Sequence, residues 1–407
     1  MDAPAGSTGE LLAALSTALD FTARGLSAHH RRVAYAALEV GKAAGLGTAE
    51  TGRVYTAALI HDLGAPTFVE KTELHRFEVA SPFEHCARGA ALAVAIPGLE
   101  GVAEVILSHH DRWDGANPSG LAGEAVPVES RLIHLCDRLD VLIDAKHYIL
   151  DQADVILARL KDGAKSLFDP LLYEALEDVA ARESFWLDLV SWNLPELLRE
   201  KAGPPVPERD GAASLAGIAE MFARVVDSKS PFTHRHSRLV ARVAGELAAR
   251  LGFGAAERER VYIAGLLHDL GKLSVPEAVL DKPGRLTAAE YRVIKRHTYY
   301  TYHILRRVPG LEEIAGWAAY HHERLDGRGY PFHLRGEELS TGARLMAVAD
   351  LFAALVEDRP YRPGLPRAQV ESIIRGQVRD GAVDGEIAGV LLAGYESFAA
   401  LDEVFRP

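Results

Sequence analysis

The chain repeats itself, and the repeat is carried by histidine and aspartate. His61-Asp62-Leu63-Gly64 returns as His268-Asp269-Leu270-Gly271, 207 residues on, and His109-His110-Asp111-Arg112 returns as His321-His322-Glu323-Arg324, 212 residues on. Asp114-Gly115 and Asp326-Gly327 keep that second interval. Self-similarity on this scale means one architecture used twice. With 17 histidines in 407 residues, a single His-Asp pair says nothing, because chance supplies about one. An ordered set says more. The second half holds His236, His268-Asp269, His297, His321-His322 and Asp350; the first holds His29, His61-Asp62, His85, His109-His110 and Asp137. The step from the first His to the His-Asp pair is 32 in both halves, and the step from the lone His to the His-His pair is 24 in both.

Between the halves, Lys201 to Gly211 places three prolines and two glycines in eleven residues, which breaks any helix. Elsewhere helical periodicity dominates. Leu239, Val240, Val243, Ala244, Leu247 and Leu251 share one face of a segment from His236 that ends at Gly252. Thr287-Ala288-Ala289-Glu290 has capping-box spacing and opens a helix running through His297. With β-type alternation scarce, the sequence predicts an all-α fold: one helical domain over 1–200, a linker over 201–213, and a second domain over 214–407.

Composition narrows the chemistry. Hydrophobic residues at 48% and charged ones at 25% are ordinary for a globular protein. Forty-five Lys and Arg against 57 Asp and Glu leave a net charge of −12, which argues against a nucleic-acid duplex or an anionic membrane as the main partner. A phosphate-bearing ligand must therefore meet a locally positive pocket. Met1-Asp2-Ala3-Pro4 has no basic signal-like start, and no apolar run approaches the ~20 residues of a membrane span. Two cysteines, Cys86 and Cys136, are too few for a disulfide framework or a cysteine zinc site. They are read as buried packing residues, and the expected location is the cytoplasm. Trp186 and Trp192 are read as packing or interface residues, and His234 as solvent-facing. Several imidazoles with two carboxylates suit a pair of first-row divalent ions, iron or manganese first and zinc also admissible. Such a pair acidifies a bridging water and clamps the attacking and leaving oxygens of a phosphoryl displacement.

Together these residues resemble the HD superfamily of metal-dependent phosphohydrolases. The second half, over roughly 214–366, resembles its HD-GYP branch, the cyclic di-GMP phosphodiesterases. It carries His268-Asp269-Leu-Gly-Lys272, Lys295-Arg-His297, His321-His322-Glu-Arg-Leu-Asp-Gly-Arg-Gly329-Tyr330-Pro331, Ala349-Asp350-Leu-Phe and Asp358-Arg359-Pro-Tyr-Arg362. A weaker version of the pattern covers about 20–195. The resemblance implies two tandem HD-type helical domains. It also implies metal ligation by His236, His268, Asp269, His297, His321, His322 and Asp350, with Asp269 bridging two ions. Phe232 stands where some relatives place a third-metal Glu, so two ions are expected. Lys272 would bind the scissile phosphate, while Tyr330, Arg359 and Arg362 would hold the substrate. The implied reaction is hydrolysis of cyclic di-GMP to pGpG or GMP. The alternatives are cyclic GMP-AMP or another nucleotide phosphoester as substrate, or a non-catalytic module that senses a dinucleotide or docks diguanylate cyclase (GGDEF) domains through the Gly329-Tyr330-Pro331 loop.

Two departures bear on proton transfer and on support of the ligands: Ser230 and Ala353 stand where the family commonly has acids. The first half keeps all seven ligand types, His29, His61, Asp62, His85, His109, His110 and Asp137, as a candidate second metal site. However, Ala65 replaces the Lys, Gly115-Ala116-Asn117-Pro118 replaces the GYP loop, and no Arg-Pro-Tyr-Arg follows Asp137. It is expected to bind metal while regulating or forming a homodimer, with a second phosphohydrolase as the rival reading.

Overall fold

The computed structural model describes residues 8–22, 25–79, 81–164, 166–202, 215–230, 235–358 and 363–403. Most of the linker, Phe232, His234, Arg359 and Arg362 lie outside them. The described residues fall into two compact units, divided between Ala202 and Leu215. They form 21 α-helices. Their only strands are the antiparallel pair Phe21–Thr22 and Gly25–Leu26. The fold is all-α. None of these helices is long and apolar enough to cross a membrane.

The five helices that carry the repeat recur in the same order in each unit. In the first they are His29–Ala43, Thr48–Ile60, Phe83–Val94, Glu100–Ser108 and Val128–Val141; in the second, His236–Arg250, Ala255–Leu267, Ala288–Leu305, Glu312–Ala319 and Thr341–Val356. In each unit the first helix packs between the second and the fifth, and the third lies against the fourth.

Local chemistry sets where these helices start and stop. Thr287 caps the Ala288–Leu305 helix by accepting from the Glu290 amide, while the Glu290 carboxylate accepts from the Thr287 amide at 2.7 Å. The His236 helix buries Leu239, Val240, Val243, Ala244 and Leu247 completely and stops before Gly252, whose φ of +83° closes the turn. Leu251, expected on the same face, is half-buried.

Chain ends position the chemistry. His29 and His236 are the first residues of their helices, and His61 and His268 are the caps ending theirs. The glycine of each His-Asp-Leu-Gly run then lets backbone meet backbone. A Cβ on Gly64 would collide with the His85 carbonyl, and one on Gly271 with the His297 carbonyl. This contact draws the helix bearing the lone His of each repeat against the His-Asp pair. Gly271→Ala is therefore expected to cost about 2 kcal/mol or more through overpacking, lowering Tm by roughly 5 °C. Gly245→Ala, on a helix with no atom near the added Cβ, should leave Tm unchanged or raised when both are measured by thermal melting.

Candidate metal centres

In the second unit, His236, His268 and Asp350 present one ligand atom each within 4.8 Å of one another, and so do His297, His321 and His322. Asp269 lies between the two triads. Its Oδ2 is 3.2 Å from His268 Nε2 and 3.8 Å from His236 Nε2, while its Oδ1 is 3.6 Å from His297 Nε2. One carboxylate thus turns one oxygen to each triad, the geometry a bridging ligand needs.

The imidazoles are held by their other nitrogen. Nδ1 of His268, His297 and His321 donates to the carbonyls of Gly265, Ile294 and Ala318 at 2.7, 2.7 and 2.6 Å. That fixes the tautomer and turns each Nε2 lone pair inward. Burial pushes the His297 ring down to about 3, and His321 and His322 are likewise held below the usual range by burial first. They stay neutral, as a ligand must. For His236 burial lowers the pKa as well but is outweighed by Glu357 and Asp350, so the ring is raised to about 10 while no cation is bound. His268 Nε2 and Asp269 Oδ1 are buried without a hydrogen-bond partner. Orphaned lone pairs of this kind, all nitrogen and oxygen, fit divalent first-row cations.

Lys272 Nζ donates to Asp269 Oδ2 and is 23% exposed, so it borders the carboxylate from the open side. Tyr330 faces the second triad, with its ring centroid 5.0 Å from that of His322. Its loop is pinned by Glu323, whose carboxylate accepts from the amides of Phe332, His333 and Leu334 at 2.7, 3.2 and 3.1 Å. Ser230 donates to Asp281 at 2.6 Å.

The first unit builds the same arrangement. His29, His61 and Asp137 form one group and Asp62, His85, His109 and His110 the other. Asp62 Oδ2 lies 3.6 Å from His61, and its Oδ1 lies 3.4 Å from His85. The surroundings differ. Ala65, at the position of Lys272, is fully buried. Arg138 is fully buried too and is committed to Asp137 and to the carbonyls of Leu74 and Arg76. Asn117 closes the replacement loop through the Arg112 amide at 2.7 Å and the Leu121 carbonyl at 2.8 Å. A cavity of about 600 Å³ bordered by this loop, Phe77, Phe83 and Arg112 reaches His110 and Cys86. Cys86 and Cys136 are buried and unbridged, and Trp186 is buried while Trp192 is 91% exposed.

An all-helical repeat with two buried His/Asp clusters, each built around a shared Asp, defines a class, and comparison with known proteins agrees. The HD domain family matches residues 14–172 and 220–387, and the chain belongs to that family. It is 31% identical over 392 residues to 3'3'-cGAMP-specific phosphodiesterase 1 of Vibrio cholerae, covering 93% of this chain and 90% of that protein. The crystal structure of a V. cholerae cyclic GMP-AMP specific phosphodiesterase (V-cGAP3) superposes with a TM-score of 0.65 at 28% identity, covering 98% of both chains. A cyclic di-GMP phosphodiesterase of Thermotoga maritima is 36% identical over 154 residues, covering 37% of this chain and 42% of that protein. The chain is an HD-GYP-type phosphodiesterase with two HD-like regions.

One supporting residue escapes sequence reasoning. In the first unit Asp140 accepts from His29 Nδ1 at 2.7 Å. Its counterpart is Ala353, yet His236 does not go unsupported: Glu357, four residues on and therefore one helical turn away, meets His236 Nδ1 at 2.7 Å. The longer side chain reaches back over the gap, so the second acid has moved rather than vanished. Glu357→Ala should weaken metal retention by about 10- to 100-fold. Adding Ala353→Asp should restore much of it, as read by metal content after dialysis against chelator.

Proposed function

We propose that the protein hydrolyses a phosphodiester bond of 3'3'-cyclic GMP-AMP at the second unit's centre. The observation that carries this reading is coverage: similarity to two cGAMP-specific enzymes extends over nearly the whole tandem, whereas the T. maritima cyclic di-GMP enzyme matches little more than a third of the chain. This favours the alternative substrate over cyclic di-GMP.

His236, His268, Asp269 and Asp350 would hold one divalent ion, and Asp269, His297, His321 and His322 a second, iron or manganese by donor type. Bound there, the pair would supply Lewis acidity toward the phosphoryl oxygens and a nucleophile from water at neutral pH. The protein's own groups do the rest. Asp269 fixes the spacing of the two triads through its two oxygens. Lys272 places an ammonium where charge grows on the phosphoryl oxygens, which a chain of net charge −12 does not supply at long range. Tyr330, held by the loop that Glu323 organises, offers a ring and a hydroxyl beside the second triad. Arg359 and Arg362 would grip phosphate or stack on a base. The first unit, without a cation at position 65 and with Arg138 already committed, is assigned a supporting rather than a hydrolytic role.

Steady-state kinetics on protein purified without oxygen tests this. kcat/KM for 3'3'-cGAMP should exceed that for cyclic di-GMP by about tenfold or more; the reverse order would restore cyclic di-GMP as substrate, and no turnover of either would leave a sensing module. Lys272→Ala should lower kcat by roughly 10²-fold with little change in KM. His268→Ala should abolish turnover while His61→Ala retains a substantial fraction; equal loss from both contradicts the division of roles.

A further inference from the structure

The two units differ at a residue that neither the ligand spacing nor the family motif selects. His30 follows His29 at the head of its helix and is 2% exposed. Its Nδ1 is engaged by Asp20 Oδ1 at 2.7 Å, and the same oxygen accepts from the His30 amide at 3.0 Å. Its Nε2 is buried with no hydrogen-bond partner. A ring nitrogen of His30 sits within 4.8 Å of ligand atoms of His61 and Asp62. A carboxylate holding one ring nitrogen while the other faces a His/Asp cluster is the arrangement that orients metal-binding histidines. His29 shows it with Asp140 in the same centre.

The second unit keeps the frame and drops the donor. Asp227, at the position of Asp20, accepts from the amide of Ser237 at 3.3 Å and from its hydroxyl at 2.7 Å. Ser237 occupies the position of His30, and its hydroxyl is turned to the carboxylate instead of to the cluster. The aspartate link to the helix start is thus common to both units, and only the first unit uses it to aim an imidazole inward.

We propose that His30 is a further protein ligand of the metal centre in the first unit, making that centre richer in nitrogen and more closed than the one in the second unit. With His29, His61, Asp62 and Asp137 it supplies five donor residues, against four (His236, His268, Asp269 and Asp350) in the second. Metal centres that are filled by protein ligands serve structure, whereas hydrolytic ones keep positions open for water and substrate. His30 thereby favours ion retention over turnover, which gives the supporting role of the first unit a chemical basis. The inference rests on reading that unit as a metal centre.

The test uses the full-length chain carrying Asp269→Ala, so that bound ion reports the first unit, loaded with Co²⁺ and titrated with a chelator. His30→Ser, which copies the arrangement of the second unit and leaves Asp20 a hydroxyl partner, should weaken Co²⁺ retention about tenfold or more and alter the visible absorption of the bound ion. Crystals of the wild-type chain loaded with Co²⁺ need no variant: anomalous scattering should place an ion about 2.0–2.3 Å from His30 Nε2. Unchanged retention and absorption in His30→Ser, or an ion placed beyond reach of His30, overturns the assignment of His30 alone. A first unit that takes up no Co²⁺ in either form overturns the metal reading as well.

Discussion

Everything in each unit is arranged around one buried carboxylate that faces two groups of imidazoles. Leaving a carboxylate in such a place uncompensated costs several kcal/mol. Asp269 is 3% exposed at its side chain, and Asp350 adds a second acid nearby. Most of the surrounding rings stay neutral, because burial holds His297, His321 and His322 below their usual range. Lys272 supplies positive charge from the protein itself, and His236 does so only until a cation displaces its proton. The remaining lone pairs point inward and are held there by backbone carbonyls three residues back on the same turn. A site so built is preorganised for cations, and the helices can be read as the means of bringing its ligands in from distant parts of the chain.

The repeat then shows what one frame can be made to do. Both units keep the shared aspartate, the glycine that lets the His-Asp turn touch the next helix, and an acid behind the first histidine. They diverge at the rim. The second unit has a cation at Lys272, an aromatic loop fastened by Glu323, and a serine beside its first ligand. The first has Ala65, an asparagine-closed loop, the committed guanidinium of Arg138, and His30 aimed inward. These differences lie around the His/Asp cluster, which both units keep.

Most of the fold and the gathering of the candidate ligands into clusters was legible in the sequence because helices convert spacing into position. Steps of 32 and 24 residues repeated in both halves pick out His29, His61, His85 and His109 and their counterparts, and Thr287 with Glu290 marks a helix start by local hydrogen bonding alone. Glu357 was not legible. Its role depends on a contact across 121 residues and on a one-turn displacement along a helix, so a motif that expects an acid at 353 registers only a loss. His30 was hidden for a related reason: beside His29 it reads as half of a doublet, and only the positions of Asp20, His61 and Asp62 separate an inward nitrogen from a packed one. The cavity beside His110 likewise depends on how a loop of residues 115–118 closes, which periodicity does not encode.

If the shared aspartate of each unit holds a pair of ions, counting the ions shows it most directly. Protein purified without oxygen and analysed for iron, manganese and zinc per chain should contain about four ions, two for each shared aspartate. Asp269→Ala and Asp62→Ala should each lose the pair belonging to its own unit, and the double variant should hold none. Full metal content retained by Asp269→Ala would show instead that the carboxylate between the triads is not what holds the ions.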